Sequence, residues 1–211
     1  MEFCSSNKEK MTEDIIFTNN KVFSHIDRVN DLINKNYCNP ITLEIDLTNK
    51  CNQKCPYCTG NKENGKTLDT LLAKEIIKDA KQLGVEAVTF TGGGEPTLHK
   101  DFIEIIEYTK NIGLKSGVIT NGTLIDEEKA IVLKNNCDWV RVSLDATNKV
   151  EYENSHGVNL YSKALQGIGK LTRINNKNCI VGIAFLINKE SKKRLSEAAL
   201  IGRTLQTDYI Q

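Results

Sequence analysis

The sequence has little of what would place it on a nucleic acid or in a membrane. Lysine and arginine number 28 against 27 aspartate and glutamate, a net charge of +1. Both signs are spread along the chain, leaving no basic stripe for a phosphate backbone and no acidic tail. The first residues, Met-Glu-Phe-Cys-Ser-Ser-Asn-Lys-Glu-Lys, lack the apolar centre of a signal peptide. The longest apolar runs, such as residues 183–187, are far too short to cross a bilayer. The expectation is a cytoplasmic protein with neither a nucleic-acid nor a membrane partner. There is no low-complexity tract or sequence repeat. A disulfide framework is also a poor fit, because the seven cysteines are an odd number in a leaderless chain of 211 residues. They read instead as thiols or metal ligands. Cys4, Cys38, Cys137 and Cys179 are scattered; the other three are not.

What is present is enough for one globular core: 39% hydrophobic and 26% charged residues. Residues 1–18 are polar and uneven and read as a loose arm. Phe23, Ile26, Asn30 and Ile33 mark a helical face that ends before Pro40, so residues 1–40 form an amino-terminal arm and helix and residues 41–211 the main domain. Residues 41–47, Ile-Thr-Leu-Glu-Ile-Asp-Leu, alternate apolar and polar as a strand does. Leu68, Leu71, Leu72, Ile76, Ile77, Ala80 and Leu83 then recur at helical spacing up to Gly84, a C-cap before a strand at 87–91. The unit repeats. Helices are expected around 102–109, 126–134 and 160–171, with strands at 114–120, 139–144 and 180–187. A last helix holds Leu195, Ala198, Ala199 and Leu205, and residues 208–211 read as a sixth strand barely begun, which suggests an incomplete chain. Such alternation predicts parallel strands joined by helical crossovers, and periodicity alone leaves an open doubly wound sheet and part of a barrel both standing.

Three cysteines follow the first strand directly. In Cys51-Asn52-Gln53-Lys54-Cys55-Pro56-Tyr57-Cys58 the C-x3-C-x2-C spacing puts three thiols within eight residues, close enough to converge on one metal site from a single loop. Three thiolates on a four-iron cubane leave one iron open for a further ligand. Structural zinc is the rival, but its usual grammar adds a second Cys or His pair, and His25, His99 and His156 are widely separated. A ferredoxin-like module would add a fourth nearby cysteine. A run of glycines, Thr91-Gly92-Gly93-Gly94-Glu95-Pro96, closes the second strand; it is not a P-loop, since no Lys-Ser or Lys-Thr follows. Thr120-Asn121-Gly122 closes the third strand and Val142-Ser143-Leu144-Asp145 the fourth, at the carboxyl ends where parallel α/β folds gather their ligands. Gln166-Gly167-Ile168-Gly169-Lys170 lies inside an amphipathic helix and is not a nucleotide loop. His99 and His156 read as surface or helix-end residues, and the charge run 190–194 as the solvated start of a helix.

Together these segments resemble the radical S-adenosylmethionine superfamily over residues 41–190, in particular the group of the molybdenum-cofactor GTP cyclase and the SPASM-type peptide maturases. The resemblance implies a partial TIM-type (β/α)6 barrel of parallel strands, truncated near the sixth strand. It implies a [4Fe-4S] cluster on Cys51, Cys55 and Cys58, with S-adenosyl-L-methionine chelating the open iron. By the same resemblance Gly93, Gly94 and Glu95 bind the methionine amino group, Tyr57 lies against the adenine, and Asn121 and Ser143 line the cofactor pocket. Val181-Gly182-Ile183 matches only part of the family's fifth-strand pattern. The implied activity is reductive cleavage to methionine and a 5'-deoxyadenosyl radical, which takes hydrogen from a small-molecule or peptide substrate. A flavodoxin- or ferredoxin-type protein is the implied electron donor. A metal-binding scaffold, or a remnant that binds metal without turnover, is the alternative.

Overall fold

The computed structural model describes residues 23–60, 65–189 and 191–211. The expected arm at 1–18, Cys4 and Glu190 lie outside them. The chain divides into two compact units, one up to Pro40 and the other Ile41–Gln211. The first contains helix α1, Ile26–Lys35, which ends at Asn36 in the left-handed conformation with φ 60°; Asn is the non-glycine residue that tolerates this best.

The second unit is one parallel sheet of six strands: β1 Thr42–Asp46, β2 Ala87–Thr91, β3 Lys115–Thr120, β4 Trp139–Ser143, β5 Ile180–Ala184 and β6 Tyr209–Ile210. The helices between them are α2 Thr70–Gln82, α3 Phe102–Asn111, α4 Glu127–Asn136, α5 Lys149–His156, α6 Tyr161–Arg173 and α7 Leu195–Thr204. Strand order follows chain order from β1 to β6. That order decides between the two topologies the sequence left standing: a doubly wound sheet reverses direction at a switch point, and this one never does. The sheet is therefore the partial barrel, and it is not closed, since among the described residues no ladder joins β6 to β1.

One face of the sheet packs on the helices. Val88, Phe90, Val118, Val140, Val142, Val181 and Ile183 alternate along the strands and are buried with Ile77, Ile105, Ile106, Leu133, Ile168 and Leu171 of the helices. Each such side chain contributes about 1.5–3 kcal/mol when fully buried. On the other face Trp139 lies over Gly117 and Tyr209 over Gly182, where any side chain on the glycine would collide with the ring.

Side chains cap the starts of α2, α4 and α5. The Asp69 carboxylate accepts from Leu71 and Leu72 N–H, and that of Asp126 accepts from Lys129 N–H at 2.8 Å; such caps contribute about 1 kcal/mol each. Two points of the sequence reading need correction. Helix α5 has no counterpart in the periodicity, because its only apolar residues, Val150 and Tyr152, make no helical stripe; its signals were the cap at Asn148, which accepts from Val150 and Glu151 N–H, and Gly157 at its end. Strand β5 stops at Ala184, short of Ile187, because Leu186 N–H turns to the Asp145 carboxylate at 2.7 Å instead of the ladder. The charge run does start a helix: its described part is a 3-10 turn, Ser191–Arg194, that leads directly into α7, and its Arg194 is paired with Glu151 and Glu197 at 3.0 Å each.

Candidate cofactor and cluster site

The cysteines sit on the long loop that leaves β1. Its neck is pinched shut: Leu68 N–H donates to Leu47 O at 2.9 Å, Asn49 N–H to Lys66 O at 2.8 Å, and the Thr48 and Thr67 hydroxyls are 2.9 Å apart. Within it Cys58 N–H donates to Cys55 O at 3.2 Å, a tight turn between the last two cysteines. Cys51 and Cys55 are half-buried and Cys58 is exposed. All three line one cavity of about 290 Å³ at the carboxyl ends of the strands. Among the described residues no three His, Cys, Asp or Glu side chains are gathered closely enough to hold a single metal ion.

The glycine run forms the adjoining wall. Gly92 has φ +118°, and a Cβ there would fall on the Asp46 carboxylate; that same carboxylate accepts from Gly93 N–H at 2.9 Å. A Cβ on Gly94 would fall on the Lys50 carbonyl, which accepts from Glu95 N–H at 2.8 Å. The absence of side chains thus lets the end of β2 lie flat against the entry to the cysteine loop.

Glu95 is 3% exposed and joins the ends of β2 and β3. Its Oε1 accepts from Thr97 N–H at 3.2 Å, the Thr97 hydroxyl at 2.6 Å and the Thr120 hydroxyl at 2.6 Å, and its Oε2 accepts from Asn121 N–H at 2.7 Å. Burial pushes the carboxyl's pKa up from its ordinary range, and these four donors oppose that shift by favouring the charged form. With three donors on Oε1 and one on Oε2, only Oε2 keeps acceptor capacity for a ligand.

Asn121 is likewise engaged by protein. Its amide donates to Asn52 Oδ1 at 2.8 Å, and its Oδ1 accepts from Thr123 N–H and the Thr123 hydroxyl. Asn52 in turn donates to the Thr123 hydroxyl at 2.8 Å. This closed ring fastens the residue after Cys51 to the end of β3. Ser143, at the end of β4, lines the cavity, and so does Tyr57, which is 71% exposed. Asp145, with φ +50°, completes that wall; burial pushes its carboxyl up, while the Leu186 N–H and His156 pull it back.

His99 and His156 are not surface residues: each is 3% exposed. The His99 ring bridges Leu68 O at 2.8 Å and Asp101 N–H at 3.2 Å, away from the cavity. His156 ends α5 as a helix-end residue, yet it lines the cavity, with Nδ1 3.3 Å from Cys55 Sγ. The sequence reading missed this residue, and Gln53 and Tyr152 beside it. Their only local signal is the four-residue spacing of Tyr152 and His156, which sets them on one helix face.

Comparison with known proteins agrees with this geometry. A probable GTP 3',8-cyclase of Sulfolobus acidocaldarius is 34% identical over 174 residues, 75% of this chain and 55% of that protein. The PqqA peptide cyclase of Gluconobacter oxydans is 28% identical over 176 residues, 82% of this chain and 48% of that protein. Among solved structures, Streptococcus suis SuiB bound to precursor peptide SuiA superposes with a TM-score of 0.75 at 21% identity, covering 87% of this chain and 42% of that one. The chain spans about half the length of the curated relatives it matches. The sequence model of the Radical SAM superfamily, whose enzymes use a [4Fe-4S] cluster and S-adenosylmethionine, matches residues 45–200. This chain belongs to the radical SAM superfamily.

Proposed function

We propose that the chain carries the cofactor-binding core of a radical S-adenosylmethionine enzyme, with Cys51, Cys55 and Cys58 holding three irons of a [4Fe-4S] cluster. The observation that carries this reading is that the three-cysteine loop, the glycine run and the ends of β2 to β4 share one cavity. The residues fit the group: three cysteines of one loop line the space beside a wall of backbone that no Cβ could enter. When bound, the cluster and S-adenosylmethionine supply reductive cleavage to methionine and a 5'-deoxyadenosyl radical for hydrogen abstraction.

The chain's own residues bind, orient and exclude water. Gly93, Gly94 and the remaining acceptor position of Glu95 Oε2 are suited to the amino group of the methionine moiety. Ser143 offers a hydroxyl and Tyr57 an aromatic face for the nucleoside end. Asn121 contributes through Asn52, by fixing the loop beside Cys51. Ile119 and Leu186 give the cavity apolar walls, which limit the water available to quench a radical. The substrate is a peptide or small molecule: the PqqA peptide cyclase and SuiB with its precursor peptide support the first, and the probable GTP 3',8-cyclase the second. A flavodoxin- or ferredoxin-type protein supplies the electron. We read the protein as cytoplasmic, without a nucleic-acid partner; no helix among the described residues is long and apolar enough to cross a membrane.

The test is anaerobic iron and sulfide analysis with electron paramagnetic resonance of the reconstituted, reduced protein, with and without S-adenosylmethionine, against Cys55→Ala. About four irons per chain, with a signal that moves on adding the cofactor and is lost in the variant, is the expected result. Stoichiometric zinc, or a signal indifferent to the cofactor, would leave a metal-binding scaffold.

A further inference from the structure

Helix α5 lies outside the cysteine motif and meets its loop at three points. Lys54 N–H donates to His156 O at 2.9 Å. The Gln53 amide donates to the Tyr152 hydroxyl at 2.6 Å, with both residues buried. Cys55 Sγ lies 3.3 Å from His156 Nδ1, while Nε2 of the same ring is 3.0 Å from Leu144 O. The two helix side chains brace each other: their ring centroids are 4.1 Å apart, and Tyr152 packs on Tyr161 at 5.8 Å. Gly157 follows with φ +68°, and a Cβ there would run into the Lys54 carbonyl. Helix end and loop are therefore in as close an approach as backbone allows.

We propose that Tyr152 and His156 are positioning residues that fix the middle thiol, Cys55, for the cluster, an inference that rests on the three-cysteine reading above. Residues 53 and 54, immediately before Cys55, are both tied to α5, and the Cys55 sulfur itself rests against the His156 ring. A long loop must lose backbone and side-chain freedom to bring three thiols together. A loop already held at its centre has less to lose when metal arrives, and partners beyond the ligands set how firmly the ligands hold. The Tyr152 ring also separates two roles that are otherwise hard to divide. Tyr152 and Tyr161 are neighbours in one core, but the Tyr161 hydroxyl donates to Thr147 O at 2.7 Å, away from the loop.

The experiment compares wild type, Tyr152→Phe, His156→Gln and Tyr161→Phe after anaerobic reconstitution. It measures iron per chain, the rate of iron loss to EDTA, the g values of the reduced protein, and the melting temperature before iron is added. If wild type takes up no iron, the three-cysteine reading falls, and the positioning role with it. If it does, Tyr152→Phe should lose iron about fivefold faster, the effect of one hydrogen bond. His156→Gln should lose iron faster still and shift the g values. Tyr161→Phe should match wild type in both while melting lower. Iron loss from Tyr152→Phe and His156→Gln no faster than from Tyr161→Phe, with unchanged g values, would overturn the positioning role and leave the cluster assignment intact.

Discussion

Glu95→Gln tests whether the carboxylate is the joint between the second and third strands. Gln has nearly the same shape but offers one oxygen and one NH2 in place of two oxygens. In the cheaper orientation its oxygen takes the corner where Thr97 N–H and the Thr97 and Thr120 hydroxyls converge. The NH2 then faces Asn121 N–H, a donor against a donor at the position of the present 2.7 Å bond. Leaving that buried N–H without an acceptor costs about 1–3 kcal/mol, and the bonds that remain lose their charge assistance. Relief of carboxylate desolvation, the cause of the raised pKa, offsets part of this. The expected net loss is about 2 kcal/mol. In urea, with a slope of about 2 kcal/mol per molar for a unit of this size, the midpoint of the metal-free protein should fall by about 1 M. An unchanged or higher midpoint would refute the account of Glu95 as the joint between the two strand ends.

Other substitutions probe the rest of the site. Gly94→Ala places a methyl on the Lys50 carbonyl; it should destabilise the metal-free protein by about 1–3 kcal/mol and lower iron uptake by displacing the loop, both measurable on one preparation. Asp145→Asn tests a pH effect. Because burial raises the Asp145 pKa, its contribution to stability is present below the ordinary value of 3.8 and is lost as pH rises through the folded-state value. The Asn variant, which still accepts from Leu186 N–H and tolerates φ +50°, should therefore gain melting temperature relative to wild type between pH 3 and pH 7; a constant difference across that range would contradict the raised pKa. In the metal-free protein Cys137 and Cys179 are buried, with pKa values pushed up to about 12 and about 11. Brief treatment with a thiol reagent at pH 8, mapped by mass spectrometry, should label Cys58 and Cys38 and leave these two unmodified.

Much of the fold was legible because its signals are local. Alternation in residues 41–47, the helical spacing from Leu68 to Leu83 and the glycine at 84 depend only on neighbours in sequence, and five strands and most helices fall where such signals put them. Helix α5 was illegible because helical periodicity reports an apolar stripe, and its buried face is a tyrosine and a histidine. The end of β5 was misread because an apolar run through Leu186 and Ile187 continues after the ladder is abandoned for a side-chain acceptor.

The same division runs through the site. The sequence by itself determined the superfamily, the three thiols on one loop, and the motifs at the ends of successive strands, since spacing along the chain carries all of these. Only the tertiary structure decided which partners each side chain finds there. Glu95 and Asn121 lie 26 residues apart and Asn52 and Asn121 69 apart, while Cys55 and His156 are 101 apart. Such partners are chosen by which strand ends the sheet brings level and by which helix returns over the loop. A buried donor or acceptor must find its partner within about 3 Å, so Glu95 and Asn121, which the motifs mark for the cofactor, also brace the strand ends and the cysteine loop. A histidine outside every motif came to rest against the central cysteine.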